Sequence, residues 1–557
     1  MNTKMINVRF IENSTETGNE TVPQGTPAGS LTGNFSAPDE KILALRINNS
    51  VCPVDTPVEV TSAIEPVLTG TKDGATVYRR SLCLLLAAAA YRLFPGRRLL
   101  VGHSLEHGYY YTFGSGPDIT DEEAASLEKE MRRLVADDIP ITAGVISYGE
   151  AAELLGRLNM CESRRQLDFI SPHSVRINSI EDFSDLYFGP LVPSTGRLKM
   201  FGIMRYGKGF LLRFPRAAEP DRLTEFTDQP KLFEIYSRYK DWGRRLGVTS
   251  AASLNKLVAE RKINDFIDIT ETLQEKNISE IADKIASSRK VRVVLIAGPS
   301  SSGKTTTSKR LALELQAIGY RPKIISLDSY YIGRDRTPRD ADGNYDFECL
   351  EALDVELLNR NLMDLFNGKE VTVPSYDFHS GKRSFDEKNR MSLSADEILI
   401  MEGIHGLNDR LTPKIPSEMK FKIYISALTQ LNLDDHNRIS TSDNRLIRRI
   451  VRDSNFRGKP AAETISMWPN VQRGEDLHIF PFQNNADAIL NTALDYELSV
   501  LRVYAEPILS RVNPTMREYS EASRLMDFLR NFQPIPPTSV PPRSIIREFI
   551  GGSAFKY

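Results

Sequence analysis

The chain has 557 residues, 41% of them hydrophobic and 26% charged, with a formal net charge of -2. That length exceeds what a single core accommodates and implies about three to four domains. The near-neutral balance excludes a global basic field, so any contact with nucleic acid needs a local patch.

Cys52, Cys83, Cys161 and Cys349 are scattered with no C-x-x-C pair, which reads as reduced thiols in a cytoplasmic protein rather than a disulfide frame or a zinc knuckle. The N-terminus lacks a charged region followed by an apolar run and a cleavage site, so no secretory signal is expected. Met5 to Phe10 alternate as a strand, a Gly/Ser/Thr/Pro-rich stretch runs to about Pro38, and Ile42 to Asn48 reads as a second strand. This opening is a small β-rich unit or a partly disordered arm. The longest apolar run, Leu82 to Phe94, is interrupted by Arg92 and falls short of the roughly 20 residues that span a bilayer, so it is expected as a buried helix. After it come the strand-forming aromatics of "GHSLEHGYYYTF" and a capped amphipathic helix opening at Thr120. A helical segment from about Pro230 to Lys290 leads into the apolar strand "VRVVLIAG", after which strands and helices alternate as in a parallel sheet with crossover helices. The tail from about Phe532 is proline-rich and expected to be extended, with a short apolar end that docks on the body.

The stretch "IAGPSSSGKTTTSK", Ile296 to Lys309, fits G-x-x-x-x-G-K-[ST] between a strand and a helix. Gly298, Pro299, Ser300, Ser301, Ser302, Gly303, Lys304, Thr305 and Thr306 are the expected nucleotide-holding residues. Backbone N–H groups close around phosphate at the helix N-terminus, Lys304 bridges the β- and γ-phosphates, and the Thr305 hydroxyl binds Mg²⁺. One crossover later "KIISLDSYY" is read as a strand ending at Asp328, and "EILIMEGIHG" as one ending at Glu402. Both carboxylates then lie at the edge of the sheet where ligands bind. In "RLIRRIVRDSNFRGK", Arg445, Arg448, Arg449 and Arg452 share one helical face, suited either to a transferring phosphoryl group or to a solvated basic helix.

The segments "GPSSSGKTT", "LDSYY", "NYDFECLEALD", "VPSYDF", "MEGIHG" and "RRIVRDSNFRGK", in this order over about residues 290 to 512, resemble the uridine kinase and phosphoribulokinase family. The resemblance implies ATP and Mg²⁺ as cofactors and a sugar hydroxyl as acceptor. It places the proton-accepting base on Asp328, the ribose-holding carboxylate on Asp346, and the border of the acceptor's base on Tyr376. It implies that Glu402 supports Mg²⁺ and that Arg452, Arg457 and Lys459 close over the phosphates, with Arg449 and His379 on the substrate side. Where the family usually has a histidine five residues after the tyrosine, this chain has Gly381, with His379 two residues earlier; where an arginine usually follows "RG", it has Lys459, which keeps the charge without the planar fork.

"HSLEHGYYYTF", "LEKEMRRLVADDIPI" and "DLYFGPLVPSTGRLKMF" are similar to the second additional domain of threonyl-tRNA synthetase, and the residues before them, more weakly, to its β-grasp TGS domain. The positions matching that domain's editing-site ligands are Arg80, Leu84, Tyr187 and Leu191, so neither metal nor editing is expected. His103 and His107 have i, i+4 spacing, but in a glycine-bounded, strand-forming segment rather than on a helix, and no metal site is expected there. The expected division is a TGS-like domain at 1–73, the synthetase-like α+β domain at 74–235, a helical linker at 236–289, an α/β P-loop kinase domain with a parallel sheet at 290–512, and the tail at 513–557. The implied activity is phosphoryl transfer to the 5'-hydroxyl of a nucleoside. Two alternatives stay open: a kinase for another sugar or a pantothenate-like alcohol, and an RNA-linked regulator that uses nucleotide as a switch. The expected partners are a small-molecule alcohol, RNA or a small ligand at the N-terminal half, and further copies of the chain in a homo-oligomer, with no membrane.

Overall fold

The computed structural model describes residues 4–556 except 115, 341, 342, 344, 378 and 379. Met5–Glu12 begins with alternating exposed and buried residues, the period of a strand with one face on a core. It lies between the antiparallel strand Thr15–Pro23 and the parallel strand Ser62–Leu68, and Ile42–Ile47 and Ser50–Cys52 complete the sheet. The opening is therefore a β-rich unit rather than an arm. Its Gly/Thr/Glu composition reflects an almost wholly exposed edge strand, where polar side chains face water while the backbone pairs.

The apolar run lies in helix Lys72–Leu93, with Leu82 to Ala90 all buried. Against it packs the antiparallel sheet Gly202–Tyr206, Gly209–Arg213, Gly108–Phe113, Leu99–Leu105. Helix Asp121–Ala136 opens with a reciprocal capping box between Thr120 and Glu123. Three helices follow, Pro230–Leu246, Ala251–Ala259 and Ile263–Ser287, and the first runs without a break past residue 235. No helix among the described residues is long and apolar enough to cross a membrane.

Five parallel strands form the next sheet in the spatial order Arg321–Ser326, Glu397–Glu402, Val293–Ala297, Lys420–Ser426, Ala488–Asn491. Its central strand is wholly buried. One face is covered by Ile278, Ile281, Ile285, Leu311 and Leu315, the other by Leu358, Leu362, Leu365 and Tyr330. Coverage on both faces is what parallel strands require, and it leaves the carboxyl edge as the open end. The tail docks as expected, with Ile535, Val540, Ile545, Ile546 and Phe549 buried.

The loop before the arginine-rich helix reaches into the synthetase-like region. Asp435, fully buried, accepts the backbone N–H groups of Glu162 (2.8 Å) and Ser163 (2.9 Å) and pairs with Arg98. Helix Cys161–Ile170 has Met160 at its N-cap and no side-chain cap of its own, so Asp435 supplies the missing acceptor at the positive end of the helix. Beside it His436 bonds to Asp185 at 2.8 Å. Truncating Asp435 leaves two helix donors without an acceptor and Arg98 with only the longer pair to Glu162 (3.7 Å), so Asp435→Ala is expected to lower stability by about 3 kcal/mol, read as a drop in the urea midpoint.

Candidate active site

The loop from Gly298 to Gly303 leaves the central strand and enters helix Lys304–Ala317. Two of its residues need the left-handed region, Ser301 at φ 58° and Gly303 at φ 85°. A side chain at Gly298 would collide with the Ile425 carbonyl of the neighbouring strand, so the pattern's first glycine answers to close backbone approach. Ser301 and Ser302 are 4% and 0% exposed, and their hydroxyls have no hydrogen-bond partner among the described residues. Buried hydroxyls are normally paired, so these two orphaned groups fit a bound phosphate. Lys304 Nζ donates to the carbonyls of Gly298 (2.9 Å) and Pro299 (3.1 Å), folded back over the loop. Thr305 Oγ1 lies 3.4 Å from Glu402 Oε1, which brings together the two side chains expected at Mg²⁺.

Glu402 ends its strand as expected. Asp328 does not: its strand stops at Ser326, and Leu327–Tyr330 form a 3₁₀ turn. The chain turns as it leaves the sheet, and Leu327 and Tyr330 go into the core, with Asp328 half-buried between them. Burial raises the Asp328 pKa, while the charges of Lys304, Arg457 and Arg452 pull it down. Burial and the charge of Asp328 push Glu402 up to about 7, against the pull of Lys304. A further carboxylate, Glu348, is pushed up to about 7 by burial and by Glu475.

The arginine-rich helix, Thr441–Arg457, is not a solvated face. Arg448 is fully buried; it donates to Ser301 O (3.2 Å) and Thr492 O (2.8 Å) and pairs with Glu497. Arg445 donates to Ser300 O (3.2 Å) and pairs with Glu475, whose carboxylate also accepts the Ser300 N–H at 3.1 Å. Arg449 donates to Ser300 Oγ at 2.9 Å. The first turns of the helix therefore brace the phosphate loop from behind. Arg452 and Arg457 share Asp453 and act electrostatically on Asp328. Lys459 pairs with Glu463 in the next helix. Trp468 is packing: it is buried and its Nε1 donates to Ser442 Oγ at 3.2 Å.

On the acceptor side, Asp346 accepts the Glu348 N–H at 3.0 Å and lies 3.9 Å from His478. The Tyr376 ring packs on Tyr331 at 5.4 Å. His379 lies outside the described residues. Glu475 and Glu497, which neutralise Arg445 and Arg448, carry no motif signal; Glu348 stands two residues after Asp346, within "NYDFECLEALD". In the synthetase-like region, His103 stacks on Tyr236, and burial holds its pKa down at about 3. His107 accepts from Arg216 at 2.6 Å, so the two histidines have separate partners. Arg80 donates to Pro190 O at 2.9 Å, and Leu84, Tyr187 and Leu191 are buried core residues.

A buried acid with a raised pKa destabilises the fold as it ionises, so its favourable contribution is complete below about pH 4.5 and is lost as pH rises through about 7. Glu402→Gln removes that loss. Its stability relative to the parent is expected to rise between about pH 5 and pH 8 by at most about 3 kcal/mol, measured by urea unfolding across that range; a constant difference is the contrary result.

Residues 293–499 match the family described as Phosphoribulokinase / Uridine kinase. Among curated proteins, the N-terminal region matches threonine–tRNA ligases. That of Desulforamulus reducens is 33% identical over 213 residues, 36% of this chain and 32% of the ligase. That of Bacillus velezensis is 30% identical over 202 residues, 36% of this chain and 31% of the ligase. The chain thus spans about a third of the length of the curated relatives it matches. Among solved structures, one titled as a possible uridine kinase from Bacillus stearothermophilus covers 39% of this chain and 98% of its own, at 19% identity and a TM-score of 0.27. Residues 293–499 form a P-loop kinase domain of the phosphoribulokinase / uridine kinase family, set behind an N-terminal region similar to part of threonine–tRNA ligases.

Proposed function

We propose that this chain transfers the terminal phosphoryl group of ATP to the 5'-hydroxyl of a nucleoside of the uridine or cytidine kind. The observation that supports this reading is the position of Asp328, a partly buried carboxylate in the field of Lys304, Arg452 and Arg457. A nucleotide switch has no need of a base there, whereas a primary hydroxyl is a poor nucleophile and gains from a carboxylate that takes its proton. Burial that raises the pKa of this base brings it closer to neutral pH, where proton acceptance is most effective.

In this reading residues 298–306 hold the phosphates and Lys304 bridges the β- and γ-phosphates. Thr305 and Glu402 would hold Mg²⁺, which supplies charge neutralisation on the transferring group. Arg452 and Arg457 stabilise the charge that develops on the phosphoryl group, and Arg449 and Lys459 line the substrate side. Asp346 takes the vicinal hydroxyls of the acceptor and Tyr376 borders its base. A kinase for another sugar alcohol uses the same machinery with a different acceptor wall, as the family's breadth allows. The similarity to threonine–tRNA ligases favours an RNA or small-ligand contact at the N-terminal half, where Asp435 ties that half to the loop before the arginine-rich helix. The domain division 1–73, 74–235, 236–289, 290–512 and 513–557, the homo-oligomer and the cytoplasmic location belong to the same proposal.

Asp328→Asn keeps shape and removes the base, so phosphoryl transfer is expected to fall by about 10²–10⁴-fold with ATP affinity little changed. The measurement is ADP release across a panel of nucleosides and sugar alcohols, with the product identified. Acceptor-dependent release in the parent and equal turnover in the variant would overturn the role of Asp328. Release stimulated by RNA alone would replace the kinase reading with the regulatory one.

A further inference from the structure

The first turn of helix Lys304–Ala317 is already engaged by an anion from the far end of the chain. Glu548 Oε2 accepts from the Thr306 backbone N–H at 3.2 Å and from the Thr306 hydroxyl at 2.5 Å. Gly303, at the N-cap, has no side chain to offer, so this N–H is one of the donors that a helix start leaves without an internal partner. It is also one of the donors that a phosphate loop turns toward its ligand. The neighbouring hydroxyls of Ser301 and Ser302, buried and without a partner among the described residues, mark the same cradle as a place for an anion.

The segment that delivers Glu548 is firmly seated. Ser544, Ile545, Ile546 and Phe549 are fully buried. The Ile545 side chain comes within 2.6 Å of where a Cβ on Gly303 would stand. Arg448, which braces the loop, lies over the Phe549 ring at 5.1 Å, and Asn455 donates to Phe549 O at 3.2 Å. The backbone of the tail is thus a fixed wall of the loop, and the half-buried Glu548 side chain reaches from it to Thr306. Its charge also adds to the upward shift of Glu402, so the carboxylate adds negative charge to the site that phosphates must enter.

We propose that Glu548 is an internal competitor for the nucleotide: its carboxylate caps Thr306 in the empty enzyme, and a phosphate of ATP must displace it to bind. The proposal rests on the reading of residues 298–306 as the ATP site. It makes the C-terminal segment a brake on nucleotide occupancy, released by rotation of one side chain while Ile545 and Phe549 stay in place.

Titration of full-length chain with Mg-ATP tests it, comparing the parent with Glu548→Gln and Glu548→Ala. Both variants are expected to bind with an about tenfold lower dissociation constant, the factor that follows when a competing state holding about nine molecules in ten is removed. The ATP-induced rise in melting temperature should grow in step, and this second readout covers the case in which a variant loses stability in the empty state. Equal or weaker binding by both variants overturns the proposal. Absence of ATP binding in the parent and both variants overturns the nucleotide site itself, and the proposal with it.

Discussion

A helix start leaves backbone N–H groups that its own hydrogen bonds cannot satisfy, and in this chain two such starts are completed by carboxylates from distant residues. Cys161–Ile170 begins at Met160 and Lys304–Ala317 at Gly303, neither of which has a capping side chain. Asp435 serves the first and Glu548 the second, across 273 and 242 positions of sequence respectively. Each couples a local need for an anion to the docking of another part of the molecule. The difference lies in what else competes: the Asp435 site is closed by Arg98 and buried packing, whereas the Glu548 site is a phosphate loop.

The same economy shapes the arginine-rich helix. An arginine pair buried without partners would cost several kcal/mol per charge, yet Arg445 and Arg448 lie almost wholly out of water. Glu475 and Glu497 neutralise them, and further guanidinium hydrogens go to the carbonyls of Ser300, Ser301 and Thr492, while Arg445 Nε has no partner among the described residues. Buried pairs of this kind add little net stability, but they fix geometry, because a guanidinium fork accepts few arrangements. What they fix here is the backbone of the loop itself. The helix thus separates its charges by role, with the first turns bracing the loop and the last turn holding Arg452 and Arg457 near Asp328.

Local chemistry made much of this legible in the sequence. Gly298, Gly303, Lys304 and Thr305 are dictated by backbone approach and helix entry over a few residues, and Glu402 by the end of an apolar run. The strand Thr15–Pro23 is not legible, since an exposed edge strand has the composition of a loop. Asp328 lies two residues past the end of its strand, because nothing in "SLDSYY" separates a strand end from a 3₁₀ turn. Glu475, Glu497, Asp435 and Glu548 were invisible. Each acts on a partner dozens to hundreds of residues away, and a lone glutamate or aspartate carries no spacing signal for a bond that exists only once the chain has folded.

Bonds of that kind also join the two unlike halves. The loop carrying Asp434, Asp435 and His436 enters the synthetase-like region and, within five residues of His436, becomes the helix whose arginines hold Ser300 and Ser301. Asp443, in the first turn of that helix, is gripped by both terminal nitrogens of Arg524 from the C-terminal helix Tyr519–Leu529. The arginine-rich helix is therefore fixed at its start by the N-terminal half and by the tail, and along its length by the loop. Packed side chains and forked ion pairs allow few arrangements, so the placement of the helix that braces the phosphate loop rests in part on contacts that lie outside residues 293–499.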